Sequence, residues 1–296
     1  MTEKSAQGEG QANMDMVVAG DEKVEAPKTK GNAMDVGPGI LSMDLPCGYI
    51  DEDGILHDKI VVGEMTGYEE DILAGKGPVV PRLNQIIANC TKRFGDLTDK
   101  KDINEAVTNM TSVDRMVALI AIRRVSLGDF YDVKIQCPDR ECKAQNRFSL
   151  DLSEIDIVRM KDQKARVRED VLDSGRRVKW HVMSAEDESW LSKHGKRKED
   201  MLTLAMLSRI DAVDVAGEDG VLGLYVIDRS TRDGHRNAIA ALKSIGIRDR
   251  NFIRRLFEKF EGSVDTEVEF VCPSCGHEWS ADLDVGQAGF FFPSGT

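Results

Sequence analysis

The chain has 296 residues, 41% of them hydrophobic and 31% charged, with a formal net charge of −12. That apolar share suffices for one large core or two small ones, and the acidic balance argues against a phosphate-binding surface. No run approaches 18 apolar residues and no apolar signal core opens the chain, so the sequence predicts a soluble protein that is not exported.

Residues 1 to 38 contain Ser, Gln, Gly, Lys and Glu but no aromatic residue. Such a stretch buries too little apolar area to offset its ordering entropy and is expected to be a disordered arm. Leu45-Pro46-Cys47-Gly48 then reads as a turn into the strand-like run Val61-Val62-Gly63-Glu64-Met65. Thr66 and Glu69 have capping-box spacing, and Glu69-Glu70-Asp71 falls in the first turn of the helix they open. Negative charge there meets the positive end of the helix dipole, so these carboxylates need no metal to explain them. Cys90 closes the apolar-spaced helix Leu83 to Cys90 and should be buried, while Cys47 reads as an ordinary turn thiol. Val113, Met116, Val117, Leu119, Ile120, Ile122 and Val125 make the next helix apolar round most of its circumference, which predicts a central position.

The knuckle Cys137-Pro138-Asp139-Arg140-Glu141-Cys142 follows, and residues 156–170, charged and without Gly or Pro, read as a connector outside any core. Beyond it the pattern recurs: Leu172-Asp173-Ser174-Gly175, a strand ending at Met183, and Ser184 with Asp187 at capping spacing. Asp211 to Asp228 reads as a β-hairpin that absorbs about 17 residues absent from the first copy. Lys193 to Lys198 reads as a solvated basic loop. In Asn251 to Phe260 an apolar stripe of Phe252, Leu256 and Phe260 has a charged back, predicting a core-facing helix. The strand Val268 to Val271 then leads into Cys272-Pro273-Ser274-Cys275-Gly276, with a return strand from Glu278 to Leu283.

Each cysteine pair sits on a hairpin turn, and each supplies two thiolates. Structural Zn²⁺ takes four ligands in a tetrahedron, so Cys137, Cys142, Cys272 and Cys275 are predicted to close one zinc site per chain, tying together segments about 130 residues apart. Such spacing in a reducing compartment favours metal over disulfide. Asp114-Arg115 and Asp249-Arg250 keep the same offset as the knuckles (249 − 114 and 272 − 137, both 135), which predicts a tandem duplication. Each copy would run strand, helix, helix, helix, knuckle. The expected fold is α+β: two related helical lobes with short strands, joined by a shared four-cysteine zinc ribbon. The boundaries are an arm at 1–38, the first repeat at 39–155, the connector at 156–170 and the second repeat at 171–296.

Catalytic patterns are missing. The histidines His57, His181, His194, His235 and His277 show no HExxH pairing, and no phosphate-cradling glycine loop follows a strand. A zinc deaminase is excluded because no His is followed two residues on by Glu. Near the C-terminus, Phe290, Phe291 and Phe292 are consecutive and cannot all face one core. Either one or two pack back on the ribbon, or some dock on another subunit.

Several segments together resemble the T4-type phage baseplate proteins, hub components and hub or tail assembly factors of contractile-tailed bacteriophages. They are Leu45-Pro46-x-Gly48, Met65-Thr66-Gly67-x-Glu69-Glu70, Ser126-Leu127-Gly128, Ser174-Gly175 with Met183-Ser184, Val264-Asp265-Thr266-Glu267-Val268, Cys272-Pro273-x-Cys275-Gly276-His277 and Phe290-Phe291-Phe292-Pro293. The resemblance spans roughly residues 40 to 296, with the first knuckle spaced C-x₄-C where C-x₂-C is usual. It implies a non-enzymatic baseplate hub or assembly protein whose partners are other tail and hub proteins, with no nucleic acid, membrane or small-molecule substrate. Such a protein would be found in the host cytoplasm during assembly and, if it is retained rather than released, in the tail baseplate of the virion. The alternative, a zinc-ribbon nucleic-acid-binding protein, is opposed by Glu267, Glu269, Glu278, Asp282 and Asp284 around the second knuckle, which would repel phosphates.

Overall fold

A computed structural model describes residues 28–30, 34–195, 201–217, 220–286 and 288–292. Helices and small antiparallel sheets alternate along the chain, as the α+β expectation requires. Most of the expected arm (1–27 and 31–33), part of the basic loop (196–198) and Pro293 lie outside the described residues.

Two short strands fall within the arm: β1 (Lys28–Lys30) and β2 (Met34–Gly37). Both lie inside the stretch expected to be the arm. Ladder hydrogen bonds come from partner backbones, so a strand joins a sheet edge without the apolar side chains that composition measures. β2 pairs with β3 (Ile40–Ile50), which pairs with β4 (Leu56–Gly63), and β5 (Thr91–Phe94) completes a four-stranded sheet. Against it pack α1 (Gly67–Ala74), α2 (Val79–Cys90), α3 (Lys100–Thr108) and α4 (Ser112–Leu127). α4 is central as expected: every residue from Val117 to Arg123 is buried. Cys90 is buried too, but Cys47 is not a turn thiol. It lies buried in β3, where burial and the Asp114 carboxylate push its thiol up to about 12.

After the first knuckle, β8 (Asp156–Val158) is the middle strand of a three-stranded sheet between β1 and β13 (Ser263–Val264). The expected connector is therefore a clamp. Ile157 and Met160 are buried, Gln163 Nε2 donates to the carbonyls of Leu45 and Pro46, and Arg166 Nη2 donates to those of Cys47 and Gly48. Its polar side chains hold β3 through backbone oxygens, a use that charge pattern alone does not announce.

In the second half, β9 (Val167–Val171), β10 (Arg177–His181), β11 (Ile210–Ala216) and β12 (Leu222–Val226) form another antiparallel four-stranded sheet. The expected hairpin between Asp211 and Asp228 is β11–β12. α5 (Ala185–His194) and α6 (Met201–Leu207) lie between β10 and β11, and α7 (Arg232–Ser244) and α8 (Ile247–Phe260) follow β12. On α8 it is Ile253, Leu256 and Phe257 that are fully buried, while Phe252 and Phe260 flank the contact. Hairpin, two helices, strand and two helices thus occur in both halves, with β12 added after β11 in the second; of the strands between the helix pairs, β5 was not foreseen. Arg115 of α4 and Glu188 of α5 join the halves by an ion pair of 2.7 Å, both side chains largely buried.

The repeated sequence signals do the same work in both halves. Both expected capping boxes form, Thr66 with Glu69 and Ser184 with Asp187. The third residue of α4, Asp114, accepts from the N–H of Cys47 at 2.8 Å; the third residue of α8, Asp249, accepts from Ser174 Oγ at 2.6 Å. Each buried aspartate ties a helix start to the Leu-x-x-Gly segment of its own half. We expect Asp114→Ala to cost about 1–3 kcal/mol, because the Cys47 N–H is left buried and unpaired. Urea denaturation measures this, and an unchanged midpoint would show that the aspartate is dispensable.

Candidate metal centre

Two hairpins carry the cysteines: β6 (Phe130–Gln136) with β7 (Gln145–Asp151), and β14 (Glu267–Val271) with β15 (Glu278–Asp282). Their turns are built alike. The Cys137 N–H donates to the Ala144 carbonyl and the Cys272 N–H to that of His277, both at 2.9 Å. The residue after each second cysteine takes a left-handed conformation, Lys143 at φ +48° and Gly276 at φ +73°. Glycine adopts that region freely; Lys143 is the one non-glycine residue in it among the described residues, a sign that the knuckle is held by its surroundings. The two additional residues of the first turn are absorbed by Asp139, whose Oδ1 accepts from the N–H groups of Glu141 and Cys142 at 2.9 Å. The longer spacing therefore still delivers two sulfurs to one point.

All four sulfurs converge. Cys137 Sγ lies 3.8 Å from Cys275 Sγ, Cys142 Sγ lies 3.8 Å from Cys272 Sγ, and the four atoms lie within 4.8 Å of one another. A disulfide would need about 2.05 Å. A metal–sulfur length of about 2.3 Å in a tetrahedron places sulfurs about 3.8 Å apart, so the geometry fits a tetrahedral thiolate site. Electrostatics agree. Burial opposes ionisation of Cys272, but the N–H groups of Ser274 and Cys275 and the Asn146 amide outweigh it and bring the thiol down to about 6. At Cys275 the N–H of His277 favours the thiolate, but burial and the three other sulfurs prevail and push it up to about 12. Four adjacent thiolates repel one another unless a cation sits between them. Aromatic packing closes the junction: Phe148 of the first hairpin meets Phe270 and Trp279 of the second, at 4.8 and 6.0 Å between ring centres.

The three phenylalanines turn back onto the chain. Phe290 and Phe291, in the short helix α9 (Ala288–Phe291), are buried in the first core against α4, and Phe292 is half-buried beside them. Phe290 and Phe291 thus turn back into their own chain, and Phe290 meets Tyr131 on the first hairpin of the ribbon. Phe290 meets the Tyr131 ring edge-on, and its carbonyl accepts from Arg123 Nε at 2.9 Å. Arg123 is buried, donates also to the carbonyls of Gly128 and Phe130, and lies over the Tyr131 and Phe290 rings.

A second polar cluster lines the cleft between the halves. His181 Nδ1 lies 2.9 Å from Asp211 and Nε2 lies 3.0 Å from Asp187, which also pairs with Arg229. Burial works against the imidazolium, but hydrogen bonds to the two carboxylates outweigh it and raise the pKa to about 9. With both ring nitrogens donating, no lone pair is left to act as a base, so His181 is an internal cation. Its folded-state pKa lies above the ordinary 6.5, so its contribution to stability is complete below about pH 6.5 and lost as pH rises through about 9. Thermal unfolding between pH 6 and 10 should show this fall in the parent, and His181→Gln should flatten it. A parallel pH profile in the variant would rule out His181 as the cause.

A family model described as T4 bacteriophage base plate protein matches residues 74–292, most of the chain, both knuckles and the α9 segment. The chain belongs to this family. The match bears out the resemblance drawn from the sequence, and it makes the molecule a phage baseplate structural protein. No curated protein and no solved structure matches the chain. Among the described residues no helix of this baseplate protein is long and apolar enough to cross a membrane.

Proposed function

We propose that this baseplate-family protein is a non-enzymatic hub component or hub assembly factor that holds other tail subunits in a defined orientation, braced by one structural zinc ion on Cys137, Cys142, Cys272 and Cys275. The observation that carries the reading is the convergence of two cysteines from each half on one tetrahedral point, in a chain of the baseplate family. A closed set of four thiolates leaves no coordination position for substrate, which suits bracing and not hydrolysis. Binding free energy at such a site becomes folding free energy and stiffens the adaptor.

The recurrence of elements, capping boxes and buried aspartates supports a tandem duplication as the origin of the two halves. Partners are taken to be other tail proteins, met in the host cytoplasm during assembly. The acidic flank of the second hairpin makes nucleic acid a poor ligand.

Quantitative mass spectrometry of purified virions beside the unassembled fraction of the same infected lysate tests the role. A fixed low copy number in virions is expected of a built-in component. Presence only in the unassembled fraction, bound to tail proteins, identifies an assembly factor that departs. Absence of this chain from virions, with no tail protein bound to it in the unassembled fraction, would overturn the proposal.

A further inference from the structure

Outside the four cysteines, one side chain among the described residues is seen to donate to a sulfur of the cluster. Asn146 stands on β7 and is 6% exposed, an unusual place for a side-chain amide unless its donors are used. Its Nδ2 lies 3.4 Å from Cys272 Sγ, across the junction on the opposite hairpin, and 3.3 Å from the Ala144 carbonyl of its own turn. That carbonyl also accepts from the Cys137 N–H, so the amide touches the frame of both knuckles at once.

The hairpins are not equivalent in this respect. Asn146 sits opposite Ile135 in its ladder, as Trp279 sits opposite Phe270 in the other. Trp279 turns its ring onto Phe270 and His277. Only the first hairpin therefore reaches across with a side-chain donor. Hydrogen bonds to metal-bound thiolates reduce their charge and fix the direction of their lone pairs, and such supporting groups commonly change metal affinity by about 10–100-fold.

We propose that Asn146 is a positioning residue of the metal centre, holding the Cys272 sulfur from the opposite hairpin so that the two half-sites meet in register. This rests on reading the four cysteines as metal ligands.

The test uses the full-length chain with Zn²⁺ and Co²⁺ as probes. Asn146→Asp keeps the shape but replaces the donor with a carboxylate beside a thiolate; Asn146→Ala removes the group. Competition against a chromophoric chelator should show zinc bound roughly 10–100-fold more weakly in both variants, with Asn146→Asp the weaker. In the cobalt-loaded protein the sulfur-to-metal charge-transfer band should move to lower energy in Asn146→Ala, since a sulfur that loses its N–H donor becomes a better electron donor. Thermal unfolding in excess chelator serves as the folding control. A parent that binds either ion while both variants match its affinity and band overturns the role of Asn146 alone. Weaker binding with an unmoved band, matched by an equal loss of metal-free stability, also overturns it, since the amide would then be ordinary packing. A parent that binds neither ion overturns the metal reading and this inference with it.

Discussion

Chelation of the metal, or Cys272→Ser, is expected to loosen both hairpins and to lower the stability of the first half as well as the second. A two-stranded hairpin is marginal by itself, and each hairpin here is a separate two-stranded sheet. What holds them together is the aromatic contact of Phe148 with Phe270 and Trp279, and the proposed four-sulfur clamp. Free metal at a thousand-fold excess over its Kd would contribute about 4 kcal/mol to the folded state. The effect should spread, because Val285, Phe290 and Phe291, which follow the second hairpin, are part of the first core. Thermal unfolding with and without chelator, paired with limited proteolysis and intact mass, reads both consequences. Cleavage confined to the hairpins, with the first half still resistant, would show that each knuckle acts locally.

Trp180→Ala is expected to cost about 3–5 kcal/mol, the range for emptying a buried aromatic site. Trp180 is fully buried in the second core, against Phe257 at 5.0 Å and Phe260 at 6.3 Å between ring centres. Its indole N–H donates to Asp170 Oδ2 at 2.8 Å, so the substitution also strips a hydrogen bond from a strand-edge carboxylate. The two cores are separate apolar clusters, and the damage should therefore fall on the second half first. A denaturation curve that splits into two transitions is the expected readout. A single transition displaced by less than about 1 kcal/mol would mean that Phe257 and Phe260 refill the space.

The local signals were the legible ones. Thr66 with Glu69 and Ser184 with Asp187 could be read because a capping box is written in four consecutive residues. The cysteine pairs could be read as one cluster because tetrahedral coordination calls for four ligands and each turn has two. Contacts made at long range through backbone atoms were not legible. Residues 156–170 looked like a charged connector, yet Gln163 and Arg166 spend their donors on carbonyls of residues 45–48, which no side-chain pattern encodes. The fate of Phe290 and Phe291 was hidden for the same reason, since their receptor is α4 and the acceptor that recruits Arg123 is a main-chain oxygen. Asn146 was unremarkable in sequence because its partner, Cys272, lies on the other hairpin.

The return of Val285, Phe290 and Phe291 to the first core sets an order of events during translation. That core is otherwise built from residues between Met43 and Ile157, all of which leave the ribosome well before residue 285. At about 5–20 residues per second, the nascent first half waits on the order of 10 s for the side chains that complete it. Until then the apolar surface of α4 that receives them lacks its cover. The protein therefore cannot present a finished first half to its partners before nearly the whole chain has been made, which ties readiness for assembly to completion of synthesis.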